Sequence, residues 1–185
     1  MAIAKRKKRF FDVEMPLIEK TTQLLGYEIE DINGSFIKYD LTRMLRGKSS
    51  LMRFKVKVTD GKATATADEL TILPYFIKRM VRKGTNYIED SFEAECSDAI
   101  VRIKPFLISR RKISREVRKA LRNKAKEELI NYLKTRDSQT IFRDLLRNQI
   151  QKELGIKLKK VYPLSLCEIR IFKVEKMKAT EKKKE

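Results

Sequence analysis

Five cations, Arg115, Arg118, Lys119, Arg122 and Lys126, recur at i, i+3, i+4, i+7 and i+11. That spacing sets side chains along one face of an α-helix. Just ahead of them, Arg110, Arg111 and Lys112 add three more charges. A row of this kind suits the phosphates of a nucleic acid, each contact releasing condensed counterions. Arginine predominates, and its planar fork grips phosphate bidentately and stacks on bases, which lysine does not do. The plain alternative is a solvated helix face. Such faces mix signs at i,i+4, whereas here Glu116 stands alone until Glu127 and Glu128. A second candidate is the run Lys5, Arg6, Lys7, Lys8 and Arg9, followed directly by Phe10 and Phe11. These rings would stack on an unpaired base or, on the simpler reading, pack on the protein's own core.

Other chemistry finds little material. The 185 residues include no histidine, which removes Ser-His-Asp and Cys-His pairs and every histidine-containing metal site. Cys96 and Cys167 are the two cysteines; they read as small apolar side chains rather than a disulfide or a zinc site. Acidic groups occur at Glu28, Glu30 and Asp31, at Asp68 and Glu69, and at Glu89, Asp90, Glu93 and Glu95. A Mg²⁺ nuclease needs carboxylates that converge, and the last group alternates along a strand. No GxxxxGK[ST] or GxGxxG loop is present. The expectation is a binding protein, not an enzyme, with no metal and no cofactor. No run approaches 18 apolar residues, so no membrane span is expected. The apolar face of the basic helix is too thin, and the chain too poor in tryptophan, to favour a lipid surface. The N-terminus lacks the apolar core of a secretory signal, so a cytoplasmic location is expected.

The elements that must position the cations follow from charge and periodicity. The net charge is +19. Residues 1–10 carry +5, residues 102–126 carry +10 and residues 173–185 carry +3, which leaves a nearly neutral remainder. Packing like charges into blocks costs self-repulsion that a bound polyanion offsets. Residues 1–15 read as a basic arm and 177–185 as a lysine-rich tail. Between them, 16–176 read as one α+β domain, sheet-rich over 20–108, with a helical pair over 113–154 and a returning strand at 164–174. The core is expected to be an antiparallel sheet or barrel-like, with flanking helices. Met52, Phe54, Val56 and Val58 alternate with Arg53, Lys55 and Lys57, and Asp60-Gly61 suits a two-residue hairpin turn. Pro74 and Gly84 suit the start and cap of a helix over 74–83. Ser97-Asp98 joins a second hairpin, in which Pro105 requires an edge or a bulge. Ser114 suits an N-cap, after which Val117, Leu121, Ala125, Leu129 and Leu133 form the apolar stripe. The second helix is expected over about 138–154, stopping at Gly155.

Several segments, in order, resemble the archaeal and eukaryotic small-subunit ribosomal protein family S-three-Ae. They are KKRFFDVEMP, SFIKYDL, RFKVKV, MVRKGTNYIED, PFLISRRKISREVRKALRNK and VYPLSLCEIRIFKVEKMK. The most diagnostic is MVRKGTNYIED, with Met80, Val81, Lys83, Ile88 and Glu89 at the family's spacing. Tyr162-Pro163-Leu164 before an alternating basic strand is the second anchor. The resemblance covers nearly the whole chain, at the length of archaeal members. It implies a structural component of the small subunit, seated on the platform near the mRNA exit. The partners it implies are small-subunit rRNA, neighbouring ribosomal proteins and mRNA near the exit site. A DNA-binding chromatin or regulatory protein is the alternative that charge alone leaves open, and no helix-turn-helix or basic-zipper pattern supports it.

Overall fold

The computed structural model describes residues 7–45 and 47–178. The chain divides into two compact units, one formed by Met1–Tyr39 with Met52–Asp68, the other by Asp40–Leu51 with Glu69–Glu185. Nine strands and four α-helices among the described residues make an α+β fold.

The first unit holds β1 (Arg9–Met15), β2 (Lys20–Gly26), β3 (Phe36–Asp40) and most of β4 (Ser50–Thr59) and β5 (Lys62–Ile72). Strands β4 and β5 form the expected hairpin. Asp60 and Gly61 both take positive φ, 50° and 73°, the backbone of a type I′ turn that matches strand twist. Met52, Phe54 and Val56 are buried, while Lys55 and Lys57 are exposed. Strand β1 pairs antiparallel with β2 from Arg9↔Gly26 to Met15↔Lys20 and parallel with β5 at Val13↔Ala63 and Glu14↔Thr64. The sheet is therefore mixed rather than wholly antiparallel. The hydrogen-bonded order here is β2-β1-β5-β4-β3. Its end strands do not pair with each other, so the barrel alternative is not realised. Arg9–Met15 belong to this ladder, although dense charge at the chain end suggested an arm up to residue 15. Residues 1–6 and 179–185 lie outside the described residues, and with them Lys5, Arg6 and most of the lysine-rich tail.

The second unit holds the end of β5, then α1 (Pro74–Met80), β6 (Tyr87–Glu89), β7 (Phe92–Glu95), β8 (Ala99–Ser109), α2 (Arg115–Leu133), α3 (Ser138–Leu146), α4 (Gln149–Lys159) and β9 (Leu164–Met177). Pro74 opens α1 as expected, but the helix ends at Met80, and Gly84 (φ 82°) serves the turn that follows. Strand β8 pairs along one edge with β9 for its whole length. Its other edge pairs with β6 at residues 106–108 and with β7 at residues 100–103. Pro105 falls in the gap between those two partners, at a register shift between Lys104 and Pro105. It lies at a bulge of a strand paired on both edges, because proline brings no N–H to a ladder. Phe142 of α3 meets Phe172 of β9 edge to face at 4.8 Å, both fully buried.

The expected second helix is two helices. Asn148 sits at φ 57° between α3 and α4, a left-handed conformation that asparagine tolerates better than most residues. Its Oδ1 accepts a hydrogen bond from Lys48 Nζ at 3.1 Å. Gly155 does not cap α4, which runs on to Lys159. A Cβ placed there would lie 3.8 Å from Cys167 Cβ, an ordinary van der Waals contact, so this glycine faces β9.

Candidate nucleic-acid interface

Helix α2 begins where the sequence placed it. Ser114 caps it, its Oγ accepting from Val117 N–H at 3.3 Å. Leu121, Ala125, Leu129 and Leu133 are buried, and Val117 is half-buried. Ala120, next to Leu121 in the helix, is exposed. Full burial of each leucine contributes about 1.5–3 kcal/mol, which fixes the rotation of the helix about its axis. The opposite face then has to carry the cations. Arg115, Lys119, Arg122 and Lys126 are exposed and Arg118 is half-buried.

The junction ahead of the helix is held by two residues that sequence reasoning did not single out. Ser109 is fully buried. Its Oγ accepts from Asn86 N–H at 2.9 Å and donates to Arg111 O at 2.7 Å. Ser109 N–H donates to Asn86 O at 2.9 Å, and Ile113 N–H to Asn86 Oδ1 at 2.9 Å. Asn86 and Ser109 thus clamp both ends of the segment bearing Arg110, Arg111 and Lys112, whose side chains are exposed. The signal that points to Asn86 is its place in MVRKGTNYIED, just after the Gly84 turn.

None of the eight cations Arg110, Arg111, Lys112, Arg115, Arg118, Lys119, Arg122 and Lys126 forms an ion pair among the described residues. Lys126 lies over the Phe92 ring at 5.6 Å. The Nε of Arg118 is buried with no hydrogen-bond partner among the described residues. Arg122 borders a hollow of about 510 Å³ with Glu89, Asp90, Lys104 and Arg170, where Glu89 is taken by Arg170 at 3.0 Å.

Other cations nearby are neutralised. Arg102 bridges Glu93 and Glu175, and the bond to Glu175 raises its pKa. Lys124 bonds Glu127 and Glu128, each at 3.2 Å, and Lys157 bonds Glu128 at 2.7 Å. Hydrogen bonds from Lys157 and Lys124 hold the Glu128 carboxyl below its ordinary pKa. At the C-terminal end of α2, buried Asp144 accepts from Tyr132 Oη at 2.8 Å and from Arg136 Nη1 at 2.5 Å. Burial, then the bond to Asp144, pushes the Tyr132 phenol well above its usual range. Among the described residues no three potential ligands are grouped to hold a metal ion, and no helix is long and apolar enough to cross a membrane. Burial pushes both Cys96 and Cys167 up to about 12, so neither thiol is ionised at neutral pH.

The basic run near the N-terminus belongs to the first unit. Lys7, Lys8 and Arg9 are exposed, and Lys8 lies 5.4 Å from the centre of the Tyr27 ring. The simpler reading of the phenylalanine pair does not hold for Phe10, which is 69% exposed. Arg9–Met15 form a strand with alternating faces, so Phe10 points away from the core face that buries Val13 and Met15. It pairs in register with exposed Leu25.

Residues 5–178 match the Ribosomal S3Ae family. The chain belongs to that family. Its relatives in the S3Ae family include the small ribosomal subunit protein eS1 of Nanoarchaeum equitans, 26% identical over 92% of this chain and 90% of the relative. The eS1 protein of Pyrobaculum aerophilum is 28% identical over 75% of this chain and 63% of its own length. That of Methanothrix thermoacetophila is 25% identical over 83% and 72%. As an S3Ae member, the chain presents its unpaired charge on an α-helix and the clamped junction before it.

Proposed function

We propose that the chain is a structural, non-catalytic component of the small ribosomal subunit that binds rRNA through α2 and the segment before it. Family membership supports the ribosomal role, and the relatives are small-subunit proteins by name. The observation that carries RNA binding is that, among the described residues, Arg110, Arg111, Lys112, Arg115, Arg118, Lys119, Arg122 and Lys126 form no ion pair, while Arg102 and Lys124 beside them are paired. Unpaired cations on one helix face repel each other, and a phosphate backbone relieves that repulsion. Lys5, Arg6, Lys7, Lys8 and Arg9 supply a second phosphate contact, with exposed Phe10 and Tyr27 available to stack on unpaired bases. The seat is the platform near the mRNA exit, among neighbouring ribosomal proteins in the cytoplasm.

Salt titration of the purified chain on small-subunit rRNA tests this reading. With about 6–10 phosphates engaged, affinity falls ~10³–10⁵-fold between about 50 and 200 mM salt. An affinity indifferent to salt refutes it. In cell extract the chain is expected to co-sediment with small subunits and to leave them in high salt or after RNA digestion. Co-sedimentation with DNA instead would favour a chromatin protein.

A further inference from the structure

We propose that the hollow between α4 and the start of β9 holds a single unstacked nucleotide of the bound RNA. The proposal rests on the RNA-binding reading above and goes further by assigning a pocket and a unit of ligand. The hollow measures about 640 Å³ and lies wholly within the second unit, a size typical of small-ligand sites.

Three features of its wall correspond to the phosphate, the base faces and the base edge of a nucleotide. For the phosphate, Arg110, Lys152 and Lys159 stand on the lining, all exposed and without an ion pair among the described residues. The acid on the lining, Glu168, is already bonded to Lys48. For the base faces, Ile156, 68% exposed, and Pro163, Leu164 and Leu166 supply apolar surface. Gly155 leaves the wall between them without a side chain. For the base edge there is Gln151, which is only 6% exposed. Its Nε2 donates to Leu145 O at 3.1 Å, while its buried Oε1 has no partner among the described residues.

A buried acceptor left unmatched costs stability, and an N–H donor would satisfy it. Every RNA base carries one on its Watson–Crick edge: an exocyclic amine on adenine, cytosine and guanine, a ring N–H on uracil and guanine. Proteins that read unpaired bases combine such an edge contact with apolar surfaces against the base face. An acidic peptide would answer the cations but offers no flat face for the apolar walls. Arg110 belongs both to this lining and to the clamped junction, so an RNA strand following α2 reaches the rim of the hollow without leaving the row.

Ultraviolet crosslinking of small-subunit particles containing the full chain, followed by identification of the modified peptides, tests the proposal. Nucleotide adducts are expected on residues 149–159 or 163–168 in addition to those on residues 110–126. Gln151→Leu, which keeps the buried volume, is expected to lower the adduct yield at the hollow about fivefold, the worth of one hydrogen bond. It should leave the yield on α2 unchanged. Lys152→Glu with Lys159→Glu, at exposed positions, is expected to lower the hollow's yield without affecting folding. Adducts on α2 with none at the hollow would overturn the proposal and leave the RNA-binding reading standing. So would a hollow crosslinked to a neighbouring protein, or a yield indifferent to Gln151→Leu. Absence of adducts from both regions would overturn both.

Discussion

The first half of helix α2 carries four cations and the second half two, Lys124 and Lys126, and the halves differ in how acids are placed beside them. From Arg115 to Arg122 no ion pair forms among the described residues. From Lys124 onward, Lys124, Glu127, Glu128 and Lys157 make one network, and Tyr132, Arg136 and Asp144 another. The second arrangement spends its charges inside the fold, where they join α2 to α3 and α4. The first keeps them for an external anion. The acids make the difference: Glu116 stands alone in the first half, whereas Glu127 and Glu128 offset Lys124 and Lys126 in the second.

That contrast can be broken by exchanging the roles. Replacing Arg115, Arg118, Lys119 and Arg122 together by glutamate should lower rRNA affinity by at least about 10³-fold at low salt. Thermal unfolding should show stability little changed, because the row makes no ion pair among the described residues to lose and four glutamates repel one another much as four cations do. If stability collapses instead, the row is structural. Arg136→Ala should do the reverse: it leaves Asp144 buried without its cation, costing about 2 kcal/mol in chemical denaturation, the exposed side of Arg136 keeping this below a fully buried pair. RNA affinity should be unaltered. Asn86→Ala, which strips the acceptor from Ile113 N–H, should cost about 1–2 kcal/mol and also weaken RNA binding several-fold. An effect on both readouts is the mark of a positioning residue. Ser114→Ala should cost about 1 kcal/mol by removing the N-cap.

The smallest effect concerns pH. Glu128 and Glu175 have pKa values below the ordinary 4.5, held there by hydrogen bonds from Lys157 and Lys124 and from Arg102. Groups depressed on folding contribute stability above their unfolded pKa and lose it as pH falls through the folded value. Stability should therefore decline below about pH 4.5, and Glu128→Gln should flatten that decline in acid titrations. Arg115→Gln should not.

Features fixed by local chemistry were legible in the sequence. The Asp60-Gly61 turn, the Ser114 cap and the buried stripe of α2 each depend on a few neighbouring residues. Features fixed from afar were not. The break between α3 and α4 rests on a left-handed Asn148 bonded to Lys48, 100 residues away. Gly155 carries the signature of a helix stop, but α4 continues through it to Lys159 along β9. Arg9–Met15 form a strand because β2 and β5 flank them, a fact hidden by the surrounding charge. The cation row could be read from spacing alone. Lys152 and Lys159 could not, since tertiary packing is what brings them to the same hollow as Arg110.

The pairing of β8 with β9 also bears on how the chain is made. One edge of β8 is covered by β6 and β7, which precede it closely in sequence. The other waits for β9, which begins at Leu164, 55 residues after β8 ends. Until then a long apolar strand presents an open ladder, the usual template for aggregation. Chains truncated before Leu164 should therefore accumulate in the insoluble fraction even though the cation row on α2 is complete.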